Sequence, residues 1–465
     1  MKHIHLIGIG GTGLSAIARV LLEKGYTVSG SDRTESPLFD AITAAGAHTF
    51  LDHAGEQVIG ADLVIRSSAV PDDNPEVIAA NKAGIPVLKR SDFLPELTQD
   101  KDTLAVAGSH GKTTTTAMLI WVLDQLGTDP SFIAGGVVSQ MGCNAHAGSG
   151  RYFAIEADEY DYMFLGLSPK VAVVTNIEYD HPDCFPTPTD YRAAFKSFLE
   201  RVRADGFALV CSDDPEVRDL IEEMRKSDIT ILTYGISPGA AYRADEITIV
   251  EGFPEFNLLH QSDRSGIEDL GKIRLKVPGK HNVLNAVAVL AVIYELGLSL
   301  PQAVDALSIF TGAGRRFEVL GEAAGVTVID DYGHHPTQIA VTLDAARTRY
   351  PQSRLWAVWE PHTYTRTQML EDAFIQALTR ADQVIILRIY AAREINPGYS
   401  SETIAAALPD EKARYFADFN AAGRFLLENL KPGDVLVTFS AGNATDLSKA
   451  VLSGLMEKVD ESRQG

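Results

Sequence analysis

The chain has 465 residues, and 62 acidic against 41 basic side chains give it a formal net charge of −21. This length predicts about two to four domains, each able to bury its own core. A charge this acidic argues against a protein that binds duplex nucleic acid, which needs a cationic face. The three widely spaced cysteines favour a reducing compartment. No segment is typical of an export signal or a membrane span, so we expect a cytoplasmic protein with no membrane partner.

Short β-rich runs alternate with amphipathic helical stretches along the whole chain, which is typical of parallel α/β domains. In chain order, the predicted strands are 3–9, 26–31, 61–66, 85–88, 104–107, 152–155, 171–175, 326–329, 355–359, 383–389 and 435–439. Helices are expected from the first glycine turn to about residue 23 and from the second to about residue 126. The composition has no low-complexity linker, and the predicted domains are 1–102, 103–314 and 315–465.

A glycine turn follows the first predicted strand. Gly8-x-Gly10-x-x-Gly13 precedes a helix, and Asp32 follows nineteen residues after the last glycine. This pattern predicts a diphosphate cradle, because glycines let the backbone turn tightly and approach phosphate at a helix N-terminus. The pattern alone leaves open a nicotinamide or flavin cofactor, another nucleotide diphosphate, or a purely structural turn.

A second glycine loop is the stronger signal. It reads Gly108-Ser109-His110-Gly111-Lys112-Thr113-Thr114 after a short apolar strand. Its backbone N–H groups would form an anion nest, with Lys112 on the terminal phosphates and the Thr113 hydroxyl on Mg²⁺. Val106 stands where the usual pattern has its first glycine, so the loop is shortened and the motor and GTPase classes are disfavoured.

Polar side chains follow the next two strands, in the segments Glu156–Asp161 and Asn176–His181. Strand ends meet at one edge of a parallel sheet, and carboxylate oxygens suit Mg²⁺. Considered alone, His181 is more often a structural or hydrogen-bonding residue. Asn282 and Asn285 open a long apolar helix, where helix capping is the simpler interpretation and contact with an adenine edge is the alternative.

The third section carries a basic pair and two polar segments after strands. Arg315-Arg316 is either a surface ion pair or an anion clamp, and Arg366 has a guanidinium suited to a carboxylate. The adjacent His334-His335 beside two aspartates is a weak zinc candidate, because neighbouring side chains on an extended chain point in opposite directions.

Together these segments resemble the Mur ligases, ATP-dependent amide-forming enzymes of peptidoglycan precursor synthesis. The resemblance covers all three sections in order. It implies an α/β fold of three domains: a Rossmann-like N-terminal domain for the UDP-substrate, a central P-loop-type ATPase domain with a mostly parallel sheet, and a Rossmann-like C-terminal domain for the amino acid. It also implies ATP and Mg²⁺, and it replaces the nicotinamide interpretation of the first glycine turn with uridine diphosphate.

The resemblance assigns roles to individual residues. The implied UDP-substrate contacts are Gly8, Gly10, Gly11, Thr12, Gly13, Asp32, Ser67 and Ser68. The implied ATP contacts are Gly108, Ser109, His110, Gly111, Lys112, Thr113, Thr114, Asn282, Asn285, Arg316 and Asp331. Thr113, Glu156 and His181 are the implied magnesium ligands, and His334, His362 and Arg366 are implied to lie near the muramyl carboxylate and the amino acid. Lys112, His181 and Arg316 are the implied catalytic residues.

The implied reaction joins L-alanine to the lactyl carboxylate of UDP-N-acetylmuramate through an acyl phosphate. The alternative within the family is the recycling ligase, which adds a tripeptide to the same sugar nucleotide. Two further alternatives are an NAD-dependent oxidoreductase and a non-catalytic nucleotide-binding regulator. The chain departs from the family pattern at Thr363, where arginine is expected, and at 440–443. Phe195 stands where several relatives have a carbamylated lysine, so we expect no carbamate.

Overall fold

The computed structural model describes residues 2–262, 266–392, 394–409 and 411–464, with side chains up to residue 460. Its described residues form three β-sheets of five, ten and six strands. Contacts divide the chain into two compact units. Unit 1 holds Met1–Ile247, Glu255–Leu275 and Asn282–Thr311, and unit 2 holds Thr248–Pro254, Lys276–His281 and Gly312–Gly465. Among the described helices, none is both long enough and apolar enough to cross a membrane.

The first sheet has the order β3-β2-β1-β4-β5, and its strands pair in parallel. The apolar residues of its central strand, such as Ile4 and Leu6, are fully buried, as expected for a strand covered on both faces of the sheet. The elements are β1 (His3–Ile7), α1 (Thr12–Glu23), β2 (Thr27–Asp32), α2 (Pro37–Ala44), β3 (His48–Leu51), a 3₁₀ turn (Gly55–Val58), β4 (Leu63–Arg66), α3 (Pro75–Ala83), β5 (Val87–Lys89) and α4 (Arg90–Thr98).

The central sheet has the order β15-β14-β13-β12-β11-β10-β6-β9-β7-β8. Its middle strands are parallel, while β7–β8 and β14–β15 are antiparallel pairs. The elements are β6 (Asp102–Ala107), α5 (Lys112–Gln125), β7 (Ser131–Val138), β8 (Cys143–His146), β9 (Tyr152–Glu156), a 3₁₀ segment (Tyr160–Gly166), β10 (Val171–Val174), α6 (Pro188–Leu199), β11 (Phe207–Cys211), α7 (Pro215–Glu223), β12 (Ile231–Gly235), β13 (Tyr242–Val250), β14 (Phe253–Ser262), β15 (Gly266–Arg274), α8 (Lys280–Glu295) and α9 (Leu300–Ser308).

The third sheet has the order β16-β17-β21-β18-β19-β20, and only the pair β16–β17 is antiparallel among its described pairs. The elements are β16 (Glu318–Ala323), β17 (Val326–Asp331), α10 (Pro336–Arg349), β18 (Leu355–Glu360), α11 (Tyr364–Met369), α12 (Glu371–Leu378), β19 (Gln383–Leu387), α13 (Glu402–Ala407), β20 (Ala413–Phe416), α14 (Phe419–Asn429), β21 (Val435–Ser440) and α15 (Ala444–Gln464).

One hydrophobic core joins the first two sheets. Leu6 and Phe93 from the first section belong to the same buried cluster as Ile155 and Phe164 from the central section. Unit 2 has its own buried clusters on its sheet, one of which contains Trp359. The first two sheets are therefore one packed body, although each has its own strand order.

The predicted α/β class and mostly parallel central sheet are confirmed. The predicted limits were wrong by one or two residues at several strand ends. The first strand stops at Ile7 rather than Ile9, because Gly8 has φ +90° and both Gly8 and Ile9 donate to the Ser31 carbonyl. The predicted strand 383–389 ends at Leu387. The domain limits at 102 and 314 stay a prediction.

Candidate active site

The phosphate loop lies between β6 and α5, at the carboxyl edge of the central sheet. Its glycines adopt left-handed backbone, with φ +136° at Gly108 and +83° at Gly111. The Asn176 amide clamps the loop, because its oxygen accepts from the His110 N–H at 2.8 Å and its nitrogen donates to the His110 carbonyl at 3.0 Å. The Thr175 hydroxyl donates to the same carbonyl at 2.6 Å. The loop conformation is thus fixed by side chains that follow β10.

This loop fits a triphosphate. Gly111 precedes α5 and offers no capping side chain, and no acidic residue lies in the first turn. The first-turn N–H groups of a helix lack intrahelical acceptors and attract anions. A Cβ on Gly108 would lie 2.0 Å from the Thr175 hydroxyl oxygen, so the backbone approach requires glycine. Ser109 joins the scaffold, since its hydroxyl donates to the Glu178 carbonyl at 2.7 Å.

We expect Gly108→Ala to weaken ATP binding at least tenfold, because the added Cβ strains the backbone and displaces the Thr175 hydroxyl. The matched control is Gly127→Ala. Gly127 also has positive φ, at +68°, but its Cβ would meet no atom within 4 Å. Calorimetric titration with ATP measures both variants. Equal ATP affinities for the two variants would show that the close approach at Gly108 does not shape the site.

Lys112 is held by a buried carboxylate. Its ammonium lies 2.8 Å from Glu159 Oε2 and donates to Glu159 Oε1 at 3.0 Å and to the Gly108 carbonyl. Burial alone would lower the pKa of Lys112, because it disfavours the charged ammonium. The carboxylates of Glu159, Asp158 and Glu156 have the larger combined effect, so the pKa of Lys112 is raised. Tyr191 donates to Glu159 Oε1 at 3.2 Å. Lys112 is therefore a fixed ammonium at the mouth of the phosphate loop.

The oxygen atoms of Thr113 and Glu156 lie together beside the loop. The Thr113 hydroxyl donates to Glu156 Oε1 at 3.0 Å, and the Gly135 N–H donates to Oε2 at 2.7 Å. A hydroxyl and a carboxylate are hard oxygen donors, so this pair fits Mg²⁺. His181 Nε2 lies 3.8 Å from Oε1 of Glu159, the carboxylate that pairs with Lys112, and its role as a magnesium ligand stays a prediction. The structure thus brings Thr113 and Glu156 together and places His181 beside Glu159.

Strained backbone occurs in both polar segments of the site, the one that follows β9 and the one that follows β10. Asp161, Tyr162 and His181 have φ of +53°, +54° and +59°. Non-glycine residues in this conformation cost free energy, and strain of this kind clusters at functional sites. The Tyr160 and His181 rings meet edge to face at 5.1 Å. No local sequence pattern indicates positive φ at these three residues, so these conformations could not be predicted from the sequence.

The helix-capping interpretation of Asn282 is wrong. Helix α8 begins at Lys280, two residues earlier, and both Asn282 and Asn285 are buried within it. The Asn285 amide donates to Asn282 Oδ1 at 3.0 Å, and a Cβ on Gly111 would lie 3.0 Å from Asn285 Oδ1. Asn285 therefore faces the phosphate loop, which the alternative interpretation as a nucleotide contact requires.

The first glycine turn lies against the ends of two neighbouring strands. The Gly10 N–H donates to Asp32 Oδ2 at 2.9 Å, so the predicted ligand Asp32 holds the turn itself. A Cβ on Gly8 would lie 3.1 Å from the Ser67 Cβ. Gly11 precedes α1 without a capping side chain, and the first turn of α1, which begins at Thr12, contains no acidic residue. The turn thus presents an uncapped helix start, as an anion site requires.

A cavity extends from this turn toward the central sheet. It is lined by Thr12, Gly13, Ile17, Arg90, Leu94, Ile133, Ala134, Gly135, Ile155, Glu156, Asp158 and Met163. A smaller cavity beside it is lined by Ser68, Lys89, Arg90, Ser91, Tyr160, Asp161 and Met163. The larger cavity therefore connects the predicted diphosphate turn to Glu156 within unit 1.

Unit 2 carries a cationic cluster at the carboxyl end of β17. Arg315 donates from Nε to Asp330 Oδ2 at 3.2 Å and from Nη2 to the Ser440 carbonyl at 2.6 Å. The guanidiniums of Arg315 and Arg316 lie 4.9 and 5.2 Å from the Tyr332 ring centroid. Such cation–π contacts orient the two guanidiniums. Asp330 already pairs with Arg315, so the anion-binding role expected for this basic pair stays a prediction for Arg316.

Asp331, an implied nucleotide contact, is buried beside this cluster. Its carboxylate accepts from the Phe317 N–H at 2.8 Å and the Gly333 N–H at 2.7 Å. Burial raises the pKa of Asp331, although Arg316 and these two bonds oppose the shift. The structure therefore gives Asp331 a clear role in shaping the 315–317 turn.

The implied amino-acid residues lie together in unit 2. Arg366 Nη1 is 3.1 Å from His362 Nδ1, and the His334 ring centroid is 5.8 Å from that of His362. His362 also stacks on Tyr390 at 5.8 Å. Thr363, which departs from the family pattern, has φ +65° and donates its N–H to the Tyr390 carbonyl at 2.9 Å. Arg366 is buried, and its guanidinium is held beside His362.

The second departure, at 440–443, has a structural role in unit 2. The Ser440 hydroxyl donates to the buried Glu360 at 2.5 Å and accepts from the Gly442 N–H at 2.9 Å. The Ala444 N–H also donates to Glu360, at 3.1 Å. A carboxylate buried at 2% exposure needs such donors. Ser440 therefore fixes the turn between β21 and α15.

His281 gives the protein a pH dependence. Its Nδ1 is shielded from solvent and has no hydrogen-bond partner among the described residues, and burial lowers the pKa of His281 to about 4. Between pH 6.5 and 4 the unfolded chain binds a proton that the folded chain excludes, so stability falls as the pH falls. We expect this effect of His281 to lower the free energy of unfolding by about 1–2 kcal/mol when the pH falls from 7.5 to 5. Urea unfolding at both pH values measures this loss of stability. The variant His281→Leu is expected to remove it. An unchanged pH dependence of stability in that variant would contradict the assignment to His281.

Three family models match successive parts of the chain. The model described as the Mur ligase family, catalytic domain, matches residues 3–102, the Mur ligase middle domain matches 106–293, and the Mur ligase, glutamate ligase domain, matches 315–442. The chain belongs to the Mur ligase family. The predicted resemblance is thereby confirmed over all three sections.

Curated relatives match over almost their whole length. The chain is 41% identical to a UDP-N-acetylmuramate–L-alanine ligase of Syntrophus aciditrophicus, covering 100% of this chain and 95% of that protein. It is 42% identical to the protein of the same name from Oleidesulfovibrio alaskensis, covering 97% and 98%. The oxidoreductase alternative receives no support from these Mur ligase relatives.

Solved structures of Mur ligases share the architecture. The UDP-N-acetylmuramate-alanine ligase of Thermotoga maritima has a TM-score of 0.83 at 27% identity, covering 99% of this chain and 100% of that one. A murein peptide ligase from Psychrobacter arcticus has a TM-score of 0.74 at 26% identity, covering 98% and 99%. The three-domain α/β fold predicted from the sequence is that of these proteins.

Several polar residues of this Mur ligase site were missed by sequence reasoning. Glu159 pairs with Lys112, Asn176 clamps the phosphate loop, and Arg90 lines both cavities. Glu159 and Asn176 lie within the quoted polar segments, so their position after strands was an available signal. Arg90 follows a short strand without any motif, and only the fold brings it to the glycine turn.

Proposed function

We propose that this Mur ligase joins L-alanine to the lactyl carboxylate of UDP-N-acetylmuramate and converts ATP to ADP and phosphate. The observation that carries the proposal is the phosphate loop with a fixed Lys112 beside the Thr113–Glu156 oxygen pair. Relatives at 41–42% identity over 97–100% of the chain bear the name of that activity, which supports the choice of substrates.

The reaction must first give the lactyl carboxylate a good leaving group. A carboxylate does not react with an amine in water, because oxide is a very poor leaving group. A lactyl oxygen therefore attacks the γ-phosphorus of ATP, the bond to the bridging oxygen breaks, and ADP leaves. The L-alanine amine then attacks the carbonyl carbon of the acyl phosphate, phosphate departs with its bonding electrons, and the nitrogen loses a proton to give the amide. Both steps gather negative charge, so positioning and electrostatic stabilisation carry the catalysis.

The residues of unit 1 would handle the phosphates and the acid. The loop 108–114 holds the triphosphate through backbone N–H groups, and Lys112 meets the terminal phosphate. The oxygens of Thr113 and Glu156 fit Mg²⁺, which when bound there would neutralise triphosphate charge. His181, whose Nε2 lies 3.8 Å from Glu159 Oε1, would be the third magnesium ligand and a catalytic residue. Asn282 and Asn285 would contact the adenine, and the turn at 8–13 with Asp32, Ser67 and Ser68 would hold the uridine diphosphate.

The residues of unit 2 would handle the amino acid and part of the nucleotide. Arg316 would bind phosphate, and Asp331 would contact the ribose. His334, His362 and Arg366 form the cluster that would hold the amino acid and the muramyl carboxylate, and the buried guanidinium of Arg366 suits a carboxylate. The roles are thus divided between the two units of the chain.

The test is phosphate release from ATP and Mg²⁺ with UDP-N-acetylmuramate, comparing L-alanine, glycine, L-serine and the murein tripeptide. We expect release with L-alanine and none when the sugar nucleotide is omitted. Faster release with the tripeptide would instead assign the recycling reaction. Failure to release phosphate with any of these amines would contradict the ligase function. Hydroxylamine, added in place of the amine, is expected to trap the acyl phosphate as a hydroxamate.

A further inference from the structure

Arg90 lies against the first glycine turn. It is the first residue of α4, and its Nη1 lies only 1.9 Å from the place where a Cβ on Gly13 would stand. An alanine at position 13 and the observed guanidinium are therefore incompatible. Gly13 thus allows the close approach of an arginine to the turn.

The partner of Arg90 in this structure is a carboxylate of the acidic loop. Nη2 donates to Asp158 Oδ2 at 3.1 Å, and the neighbouring Lys89 lies 3.6 Å from Asp161 Oδ2. The Arg90 side chain is 23% exposed and the Asp158 side chain 37% exposed, so both face the cavity. Partly exposed ion pairs of this kind contribute little to stability, and an anionic ligand can replace one partner at low cost.

A diphosphate bound at the first glycine turn needs a nearby cation to balance its negative charge. A diphosphate brings negative charge to the uncapped start of α1, whose first turn has no side chain that neutralises it. The chain as a whole carries −21, so phosphate recognition depends on local positive charge. A guanidinium presents two parallel N–H groups that match two phosphate oxygens. Arg90 is the side chain of this type that lines the cavity at Gly13.

We propose that Arg90 binds the diphosphate of the sugar nucleotide, with Asp158 occupying its guanidinium until that ligand arrives. The inference rests on the proposed function, because it takes the turn at 8–13 as the diphosphate site. Arg90 is then a positioning residue. It fixes the nucleotide at one end of the cavity, so that the acid end reaches toward Glu156 at the other.

The two residues should have opposite effects on binding. We expect Arg90→Ala to bind UDP and UDP-N-acetylmuramate about 10- to 100-fold more weakly, the range typical of a lost charge-assisted bidentate contact. Arg90→Lys keeps the positive charge but lacks the two parallel N–H groups of the guanidinium. Its affinity for UDP is expected to lie between those of Arg90→Ala and the wild type. Asp158→Asn removes the competing carboxylate and is expected to bind UDP several-fold more tightly. Calorimetric titration of the full chain measures all three.

Matched controls separate this role from damage to the fold. Arg19→Ala removes an arginine of α1 that pairs with Glu23, and Asp219→Asn removes an exposed acid near Arg192. Both are expected to bind UDP like the wild type. ATP affinity is measured on Arg90→Ala as an internal reference and should be unchanged. Equal losses of UDP and ATP affinity would indicate a structural role and overturn the proposal, as would UDP affinity equal to that of Arg19→Ala.

The outcome for Asp158 is a separate check. Weaker UDP binding in Asp158→Asn would mean that the carboxylate supports Arg90 rather than competing for it, and would overturn that part of the proposal. Failure of the proposed function has a different signature: wild-type chain that binds UDP but releases no phosphate with UDP-N-acetylmuramate and any amine. A wild-type chain that turns over normally while Arg90→Ala keeps full UDP affinity contradicts the role of Arg90 alone.

Discussion

Replacing Lys112 by methionine is expected to lower kcat about 100- to 1000-fold while the affinity for UDP-N-acetylmuramate stays within twofold of the wild type. The ammonium is the fixed positive charge at the mouth of the phosphate loop, 2.8 Å from Glu159. Loss of one such electrostatic contact to a transferring phosphoryl group costs about 10²–10³ in rate, and here the loop has no second lysine. Methionine keeps the length of the apolar stem, so the packing of the side chain changes little. Phosphate release and calorimetric titration measure the two quantities.

The lost ammonium leaves Glu159 buried without its cation, so stability must be followed as well. The double variant Lys112→Met/Glu159→Gln removes that unpaired charge and should regain stability without regaining turnover. Lys226→Met, at an exposed site, is the matched control and should behave like the wild type. Turnover of Lys112→Met within tenfold of the wild type would contradict the assignment of this lysine to the phosphates.

The variant Glu156→Gln is expected to lower kcat about 100- to 1000-fold and to raise the Mg²⁺ concentration for half-maximal rate at least tenfold. The amide keeps the size of the side chain and its place between Thr113 and Gly135 but removes the charge that a divalent cation requires. Initial rates of phosphate release over a range of Mg²⁺ concentrations give both values.

The control for this experiment is Glu200→Gln, an exposed acid at the end of α6. It makes the same chemical change outside the site, and its Mg²⁺ dependence should match the wild type. A lower rate of Glu156→Gln with an unchanged Mg²⁺ dependence would assign the carboxylate to the phosphate loop instead of the cation.

The parallel strands could be predicted because burial on both faces makes them continuous apolar runs. Val171–Val174 and Leu355–Glu360 are fully buried and were expected almost in full. The exposed strands could not be predicted in this way. In β15 (Gly266–Arg274) apolar, charged and glycine residues follow no regular alternation, and only Ile273 is buried among them. Its register is set by pairing with β14, which no local pattern encodes.

The candidate site likewise has parts that the sequence predicts and parts that only the fold reveals. The glycine loops have strong local patterns, because a turn of positive φ followed by a helix needs glycine at fixed places. The partners of those loops come from distant parts of the chain: Glu159 reaches Lys112 across 47 residues, and Arg90 reaches Asp158 across 68. Such pairs depend on strand order, so the motifs predicted where a phosphate would bind and only the fold supplied the charges around those loops.

The shared hydrophobic core of the first two sheets has a practical consequence for inhibitor discovery. Because Phe93 and Leu6 pack in one cluster with Ile155 and Phe164, a recombinant piece ending near residue 102 would expose this apolar surface to water. Such a piece is expected to precipitate or to present false cavities to a fragment library. Compounds aimed at the uridine end are better screened against the full-length chain, where the wall formed by the central sheet is intact.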